Sequence, residues 1–333
     1  MKVNFKYILV SLGVVVVCGT CIYAVKEVRD QEKDYRSQFQ RYYRIYSPEI
    51  PKKLDFAGEK VPLDLFFVRE SLDREIMANT FMHSSTIMMF KRASRWFPVI
   101  EPILKKNNIP DDFKFLALAE SNLSNAVSPS GAEGFWQFLK ATGQKYGLEI
   151  TDEVDERYNV EKATEAACQY FNEAFVEYKN WTVVAASFNR GIDGVGKAIE
   201  KQQTTDYYNL FLVDETARYV YRIIAMKQVY NNPTKYGFFL KQNDFYPPLS
   251  TYTIVIDSSI NDLPAFALKL KINYRVLKEF NPWLRRYSLT NKTAKVYSIK
   301  LPVEGSLSWD ILKTHLPQGG TFFNDTLKIS LEN

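Results

Sequence analysis

The stretch Ala117-Leu118-Ala119-Glu120-Ser121-Asn122-Leu123-Ser124-Asn125-Ala126-Val127-Ser128-Pro129-Ser130-Gly131-Ala132-Glu133-Gly134-Phe135-Trp136-Gln137-Phe138 begins apolar, turns polar and ends aromatic. Just upstream, Asn107-Asn108-Ile109-Pro110-Asp111-Asp112 is a helix-start signal, with Asp at the head of a segment carrying Phe113, Phe115, Leu116 and Leu118. The spacing predicts a helix that ends at Glu120. A carboxylate flanked by Ala117, Leu118, Ala119 and Leu123 is partly desolvated, and desolvation raises its pKa by penalising the charged form. A carboxyl that keeps its proton near neutral pH can act as a general acid toward a departing sugar oxygen. A Glu near a helix end can equally serve only as a hydrogen-bond acceptor, so Glu120 alone leaves both readings open.

Outward from this stretch, Ser128-Pro129-Ser130-Gly131 reads as a turn, and Gly134 permits close backbone approach beside Trp136 and Gln137. Taken singly, Trp136 and Phe138 are core residues. From Val68 to Lys106, Leu72, Ile76, Met88, Met89, Trp96, Val99 and Ile103 recur at helical spacing, with Pro98 and Pro102 marking a boundary or kink. Further helices are predicted near Ala141–Tyr146, Val160–Tyr178, Trp181–Phe188 and Thr216–Asn231. Pro48 to Pro62 reads as a linker. After Tyr246-Pro247-Pro248 the pattern changes to a small β-α-α-β unit: strands at Thr251–Ile256 and Val296–Leu301, helices at Leu263–Leu270 and Tyr274–Phe280. A helix around Trp309–His315 precedes a polar tail holding the sequon Asn324-Asp325-Thr326.

Composition narrows the chemistry. The 333 residues are 46% hydrophobic and 24% charged, enough for a sizeable core in more than one domain. With 43 Lys and Arg against 38 Asp and Glu, the charge of +5 comes without a dense basic cluster, so no nucleic-acid partner is expected. Only His83 and His315 are available, which leaves little from which to build a His-rich metal site or a Ser-His-Asp triad. His83 reads as a satisfied polar residue at a helix junction. Cys168 reads as a small buried apolar residue, and Cys18 and Cys21 lie in the amino-terminal segment. That segment, uncharged from Tyr7 to Val25 behind Lys2 and Lys6, is an export signal. An uncleaved membrane anchor is favoured over cleavage near Ala24. Val17-Cys18 and Thr20-Cys21 fit a lipoprotein site poorly.

Glu120-Ser121 ending a helix, Ser128-Pro129-Ser130-Gly131, and Gly134-Phe135-Trp136-Gln137 together resemble the lytic transglycosylase pattern. Two later blocks keep its order and spacing. Ala186-Ser187-Phe188-Asn189-Arg190-Gly191 is similar to the family's Ala-Tyr-Asn-x-Gly, and Glu215-Thr216-Ala217-Arg218-Tyr219-Val220 to its Glu-Thr-x-x-Tyr-Val. From Val68 through Lys227 the chain resembles the membrane-bound lytic murein transglycosylase D group. The resemblance implies a mainly α protein whose catalytic domain is lysozyme-like and helical, of the goose type.

It further implies cleavage, without water or cofactor, of the β-1,4 bond between N-acetylmuramic acid and N-acetylglucosamine in peptidoglycan strands. By that analogy Glu120 is the catalytic acid and then base, while the muramyl C6 hydroxyl closes a 1,6-anhydro ring. Ser128, Gln137, Phe188, Asn189 and Tyr219 hold the glycan or orient Glu120. Phe188 stands where the family usually has Tyr, so it can stack on a sugar but cannot offer a phenol hydroxyl. Glu215 reads as structural, Glu133 as an exposed loop residue or substrate contact, and Asp193 as a turn residue.

The carboxy-terminal unit resembles a diverged lysin-motif domain, with Asn281-Pro282-Trp283-Leu284 in the family's Asn-Pro position. Asp257-Ser258-Ser259-Ile260-Asn261-Asp262 replaces the usual Gly-Asp-Thr turn. The expected division is an anchor over 1–29, a helical region and linker over 30–90, a catalytic domain over 91–245, a lysin-motif-like domain over 250–303 and a tail over 304–333. The expected location is the bacterial cell envelope, facing the periplasm. Two alternatives stay open: a lysozyme-like hydrolase using Glu120 and another acid, and a non-catalytic glycan-binding scaffold.

Overall fold

The computed structural model describes residues 5–42 and 45–316, with side chains from residue 13 onward except at 40 and 42. Lys2, the end of the polar tail and its Asn324-Asp325-Thr326 sequon lie outside the described residues. Two units are present, residues 1–47 and 48–333. The first is α1 (Phe5–Tyr42), whose Val14, Val15, Val16, Val17 and Ile22 are exposed. Among the described residues no helix is long and apolar enough to cross a membrane.

In the second unit, α2 (Phe66–Phe81), α3 (His83–Lys106), α4 (Lys114–Ser121), α6 (Val160–Tyr178), α7 (Trp181–Arg190) and α9 (Asp214–Asn231) enclose one core. The core is a cluster of apolar side chains at helical spacing, among them Leu72, Phe90, Ile100, Phe113, Trp136, Phe171 and Ile224, each fully buried. The short α5 (Lys140–Lys145) and the surface helix α8 (Ile192–Gln202) complete it.

Three differences from the sequence reading have physical causes. The expected linker holds a hairpin, β1 (Asp55–Phe56) with β2 (Glu59–Lys60), closed by Ala57 and Gly58, both at positive φ. Phe56 and Val61 are buried in the main core, and the Glu59 carboxylate accepts hydrogen bonds from the Trp181 and Thr182 N–H groups at the start of α7. Residues 48–90 therefore share one core with residues 91–245, with no break at 90. Secondly, α3 runs through both Pro98 and Pro102, because Phe97, Ile100 and Leu104 lock it in the core. Thirdly, α8 has no counterpart among the predicted helices. Gly191, Gly194 and Gly196 weaken its helical signal.

The last unit pairs β3 (Thr251–Ile256) antiparallel with β4 (Tyr297–Pro302), Thr251 opposite Pro302 and Ile256 opposite Tyr297. Between them lie α10 (Leu263–Lys269) and α11 (Tyr274–Phe280), and α12 (Trp309–Leu312) follows. Asp262, in the divergent turn, caps α10 by accepting from the Ala265 N–H at 2.8 Å. Asn281 is fully buried; its amide donates to Leu277 and Lys300 carbonyls and its Oδ1 accepts from Lys300 N–H. That triple contact fixes the end of α11 to β4 and accounts for an Asn at this point. Cys168 is buried in α6, and His83 heads α3 between the rings of Phe81 and Phe238.

Candidate active site

Glu120 occupies the last turn of α4, and the chain leaves the helix through Asn122 and Leu123, both in the left-handed region. The neighbouring Ser121 is buried; its Oγ donates to the Phe135 carbonyl at 2.8 Å and lies 3.1 Å from the Ala117 carbonyl, tying the helix end to the aromatic segment fourteen residues on. That contact explains a Ser immediately after the acid. Burial pushes the Glu120 carboxyl from an ordinary 4.5 up to about 7, against the opposing pull of a Tyr219 hydrogen bond and the Arg222 charge. The Glu215 charge adds to the upward push.

Tyr219 is buried on α9, and its hydroxyl donates to Glu120 Oε1 at 2.5 Å. The same burial raises the phenol pKa well above its usual value, so Tyr219 remains a donor. With Oε1 thus occupied, the carboxyl proton belongs on Oε2. Thr216, one turn earlier on the same face of α9, donates to Asn189 Oδ1 at 2.8 Å and leaves the Asn189 amide for a ligand. Gln137, at positive φ, donates its amide to the carbonyls of Ala126 and Gly134, which fixes its remaining oxygen. Ser128 Oγ accepts from the Ala132 N–H and contacts Ser130 Oγ at 2.9 Å.

All six sequence-derived residues, Glu120, Ser128, Gln137, Phe188, Asn189 and Tyr219, line one cleft of about 590 Å³. The Phe188 ring also packs against Trp136, Phe138, Tyr170 and Phe171, with centroids 5.2–6.1 Å away. Its missing hydroxyl does not leave Glu120 without a phenolic partner, since Tyr219 fills that part. Trp136 is fully buried and donates to Thr164 Oγ1, a core role. A smaller cavity of about 180 Å³, between Trp96 and Trp283, holds none of these six.

Three further acids can now be placed. Glu215, read as structural, is exposed, lines the cleft and pairs with Arg222 at 3.2 Å. Glu133, read as an exposed loop residue or a substrate contact, is half-buried and pairs with Arg157 at 3.1 Å. Asp193 sits in the first turn of α8.

Sequence reasoning passed over Thr216, Arg222 and, above all, Arg157. Arg157 is buried and held by Asp155 through Nε and Nη2, the latter at 2.6 Å, while its Nη1 donates to the carbonyls of Gly131 and Phe138. It thereby clips both ends of the cleft-wall segment. Gly134, at φ +80°, admits this arrangement, for a Cβ there would lie 2.0 Å from the Arg157 carbonyl oxygen. Arg222 had a readable signal, three residues after Tyr219 on one helix face. Arg157 had none, since the bonds that reach the cleft wall go to the backbone carbonyls of Gly131 and Phe138, distant in sequence. Among the described residues, no group of three or more His, Cys, Asp or Glu could hold a metal ion.

A helical core that ends a helix on a desolvated Glu, joined to a β-α-α-β unit, defines a class. The chain matches the transglycosylase SLT domain over residues 97–211 and the soluble lytic transglycosylase C-terminal LysM-like domain over residues 252–305. It is similar to the membrane-bound lytic murein transglycosylase D of Escherichia coli K12 and that of Escherichia coli O6:H1 strain CFT073. Each is 29% identical over 230 residues, covering 67% of this chain and 49% of the relative. The chain thus spans about half the length of the curated relatives it matches.

Proposed function

We propose that this protein is a peptidoglycan lytic transglycosylase that cleaves the β-1,4 bond after N-acetylmuramic acid and leaves a 1,6-anhydro end. The observation that carries this reading is Glu120, a carboxyl raised to about 7, held by Tyr219 in a cleft with Ser128, Gln137, Phe188 and Asn189. Near neutral pH about half of such a group is protonated, which lets one residue serve as acid and then as base. Glu120 Oε2 gives its proton to the leaving oxygen. The resulting carboxylate, stabilised by the Tyr219 hydroxyl, takes the proton of the muramyl C6 hydroxyl as that oxygen bonds to the anomeric carbon. The proton is returned, and no water is consumed. Asn189 and Gln137 offer an amide N–H and an amide oxygen to sugar groups, and Phe188 offers an apolar ring edge.

A lysozyme-like hydrolase is the second reading, favoured by the presence of Glu215 in the same cleft. Hydrolases of this type commonly use two carboxylates. The ion pair with Arg222 gives Glu215 another occupation. Mass spectrometry of digested peptidoglycan separates the readings. Anhydro ends from the wild type, reduced at least about a thousandfold in Glu120→Gln, are expected. Reducing ends would establish the hydrolase, and binding without release would establish a scaffold.

We place the protein in the bacterial cell envelope, tethered by the first half of α1. The charge-free run Tyr7–Val25 behind Lys2 and Lys6, the pattern of an export signal, supports this. Retention in the membrane fraction after carbonate washing is expected; release into the soluble fraction would refute the tether.

A further inference from the structure

Arg190 lines the catalytic cleft and also a second depression of about 350 Å³, which runs outward over α8. Lys197, Lys201, Gly194 and Phe211 line this second depression as well. Two of its walls are fixed by specific contacts. The Arg190 side chain lies across Gly194, donating from Nε to the Gly194 carbonyl at 3.2 Å, and a Cβ at 194 would stand only 2.9 Å from Arg190 Cγ. Phe211 is held by both of its backbone groups. Its N–H donates to Gln202 Oε1 at 2.7 Å, and its carbonyl accepts from Gln202 Nε2 at 3.0 Å. The residue is nevertheless 90% exposed. An aromatic ring clamped by its backbone and bare to solvent is an apolar platform in search of a contact.

The charge of the depression is one-sided. Lys197 and Lys201 stand one turn apart on α8 and Arg190 lies just before it, so three like charges face one space. Among the described residues none of the three is in a salt bridge. Asp193 and Glu200, the acids of the same helix, do not line the depression. Like charges gathered without partners are unfavourable to the free protein and become favourable when an anion arrives.

We propose that this depression is a subsite for the acidic peptide substituent of the glycan. The peptide carboxylates meet Arg190, Lys197 and Lys201, and its aliphatic portion rests on Phe211. Arg190, common to both spaces, marks where the peptide leaves the sugar-binding cleft. This rests on the reading of the cleft as a peptidoglycan site and adds what that reading lacks, a reason to discriminate between peptide-bearing and bare strands.

The test compares the full chain with Lys197→Gln/Lys201→Gln, whose two positions lie outside the catalytic cleft. The substrates are strands carrying their peptides and the same strands after enzymatic removal of the peptides. The wild type is expected to favour peptide-bearing strands about three- to tenfold in kcat/KM, mostly through KM, the preference fading in 0.5 M salt. The variant should cleave bare strands as the wild type does and show little preference. A wild type without preference, or a variant that keeps it, overturns the subsite. Failure to cleave either substrate bears on the proposed function instead. The subsite is then decided by titrating a free acidic stem peptide into both proteins: weaker, less salt-sensitive binding by the variant supports it, and equal binding overturns it.

Discussion

Glu120 is destabilising as a charge and useful as an acid for the same reason. Its folded pKa of about 7 exceeds the ordinary 4.5, so between these values the native state binds more protons than the unfolded chain. Stability must then fall as pH rises through that window, by about 3 kcal/mol at most. Glu120→Gln keeps the acceptor for Tyr219 and removes the charge. The variant is expected to melt higher than wild type at pH 8 and close to it at pH 5, and thermal unfolding across that range checks the sign. Activity runs on the same titration. In the proposed mechanism the general acid must be protonated, so kcat/KM should decline above pH 7. Tyr219→Phe removes a donor that favours the carboxylate, and the declining limb should move upward by roughly one unit. A limb left in place would mean that Tyr219 does not touch the acid in solution. The Phe188 packing shows why its departure from Tyr is compatible with this design: the phenol that reaches Glu120 comes from α9.

At the level of elements, the sequence displays periodicity and local caps. The bounds of α6 and β3 match their predicted spans because each is a regular pattern with a clear start: Asn159 caps α6 by accepting from the Lys162 N–H. The end of α4 is legible for the same reason, since an apolar run stops at a carboxylate and a left-handed Asn. The cleft wall is legible only as motif. Its support comes from residue 157, whose contacts with the Gly131 and Phe138 carbonyls are side chain to backbone and leave no pattern along the chain. The place of Glu215 in the cleft is not legible either, because exposure at the start of α9 depends on where the 206–213 loop runs. Gly134 offers the sharpest test of the support from Arg157. Gly134→Ala places a methyl 2.0 Å from the Arg157 carbonyl at a backbone φ that L residues rarely adopt. It should cost more than about 3 kcal/mol and depress turnover along with stability, as urea unfolding and kinetics would show. Gly131→Ala, also at positive φ but facing open space, should cost only about 1–2 kcal/mol.

Across residues 48–316, the β-α-α-β unit is built into the helical unit that holds the cleft. Val154 and Tyr158, which precede α6, belong to the hydrophobic cluster of the LysM-like unit together with Leu277, Trp283 and Ile299. Asp155 N–H donates to the Trp283 carbonyl at 2.9 Å and Arg285 N–H to the Glu153 carbonyl at 2.7 Å. The side chain of Asp155 meanwhile holds Arg157, which holds the cleft wall. One loop, 149–158, therefore serves two cores and the active site at once. Such a seam predicts that residues 48–316 unfold in one calorimetric transition, whereas a hinged appendage would melt separately. Glu153 tests the seam locally. Its carboxylate accepts from Ser288 Oγ at 2.7 Å and Thr290 N–H at 2.8 Å, and these bonds hold its pKa below the ordinary carboxylate value. A depressed carboxylate stabilises above its unfolded pKa, and that contribution is lost as pH falls through the folded one. Glu153→Ala should therefore lower Tm by roughly 2–4 °C at pH 7, and the difference from the wild type should shrink as the pH is lowered into the acid range. If the seam carries support through Asp155 to Arg157, the same variant also raises KM for glycan at pH 7, although residue 153 lies outside the cleft. A lowered Tm with unchanged KM would confine the seam to stability and leave the cleft wall supported by Asp155 and Arg157 alone.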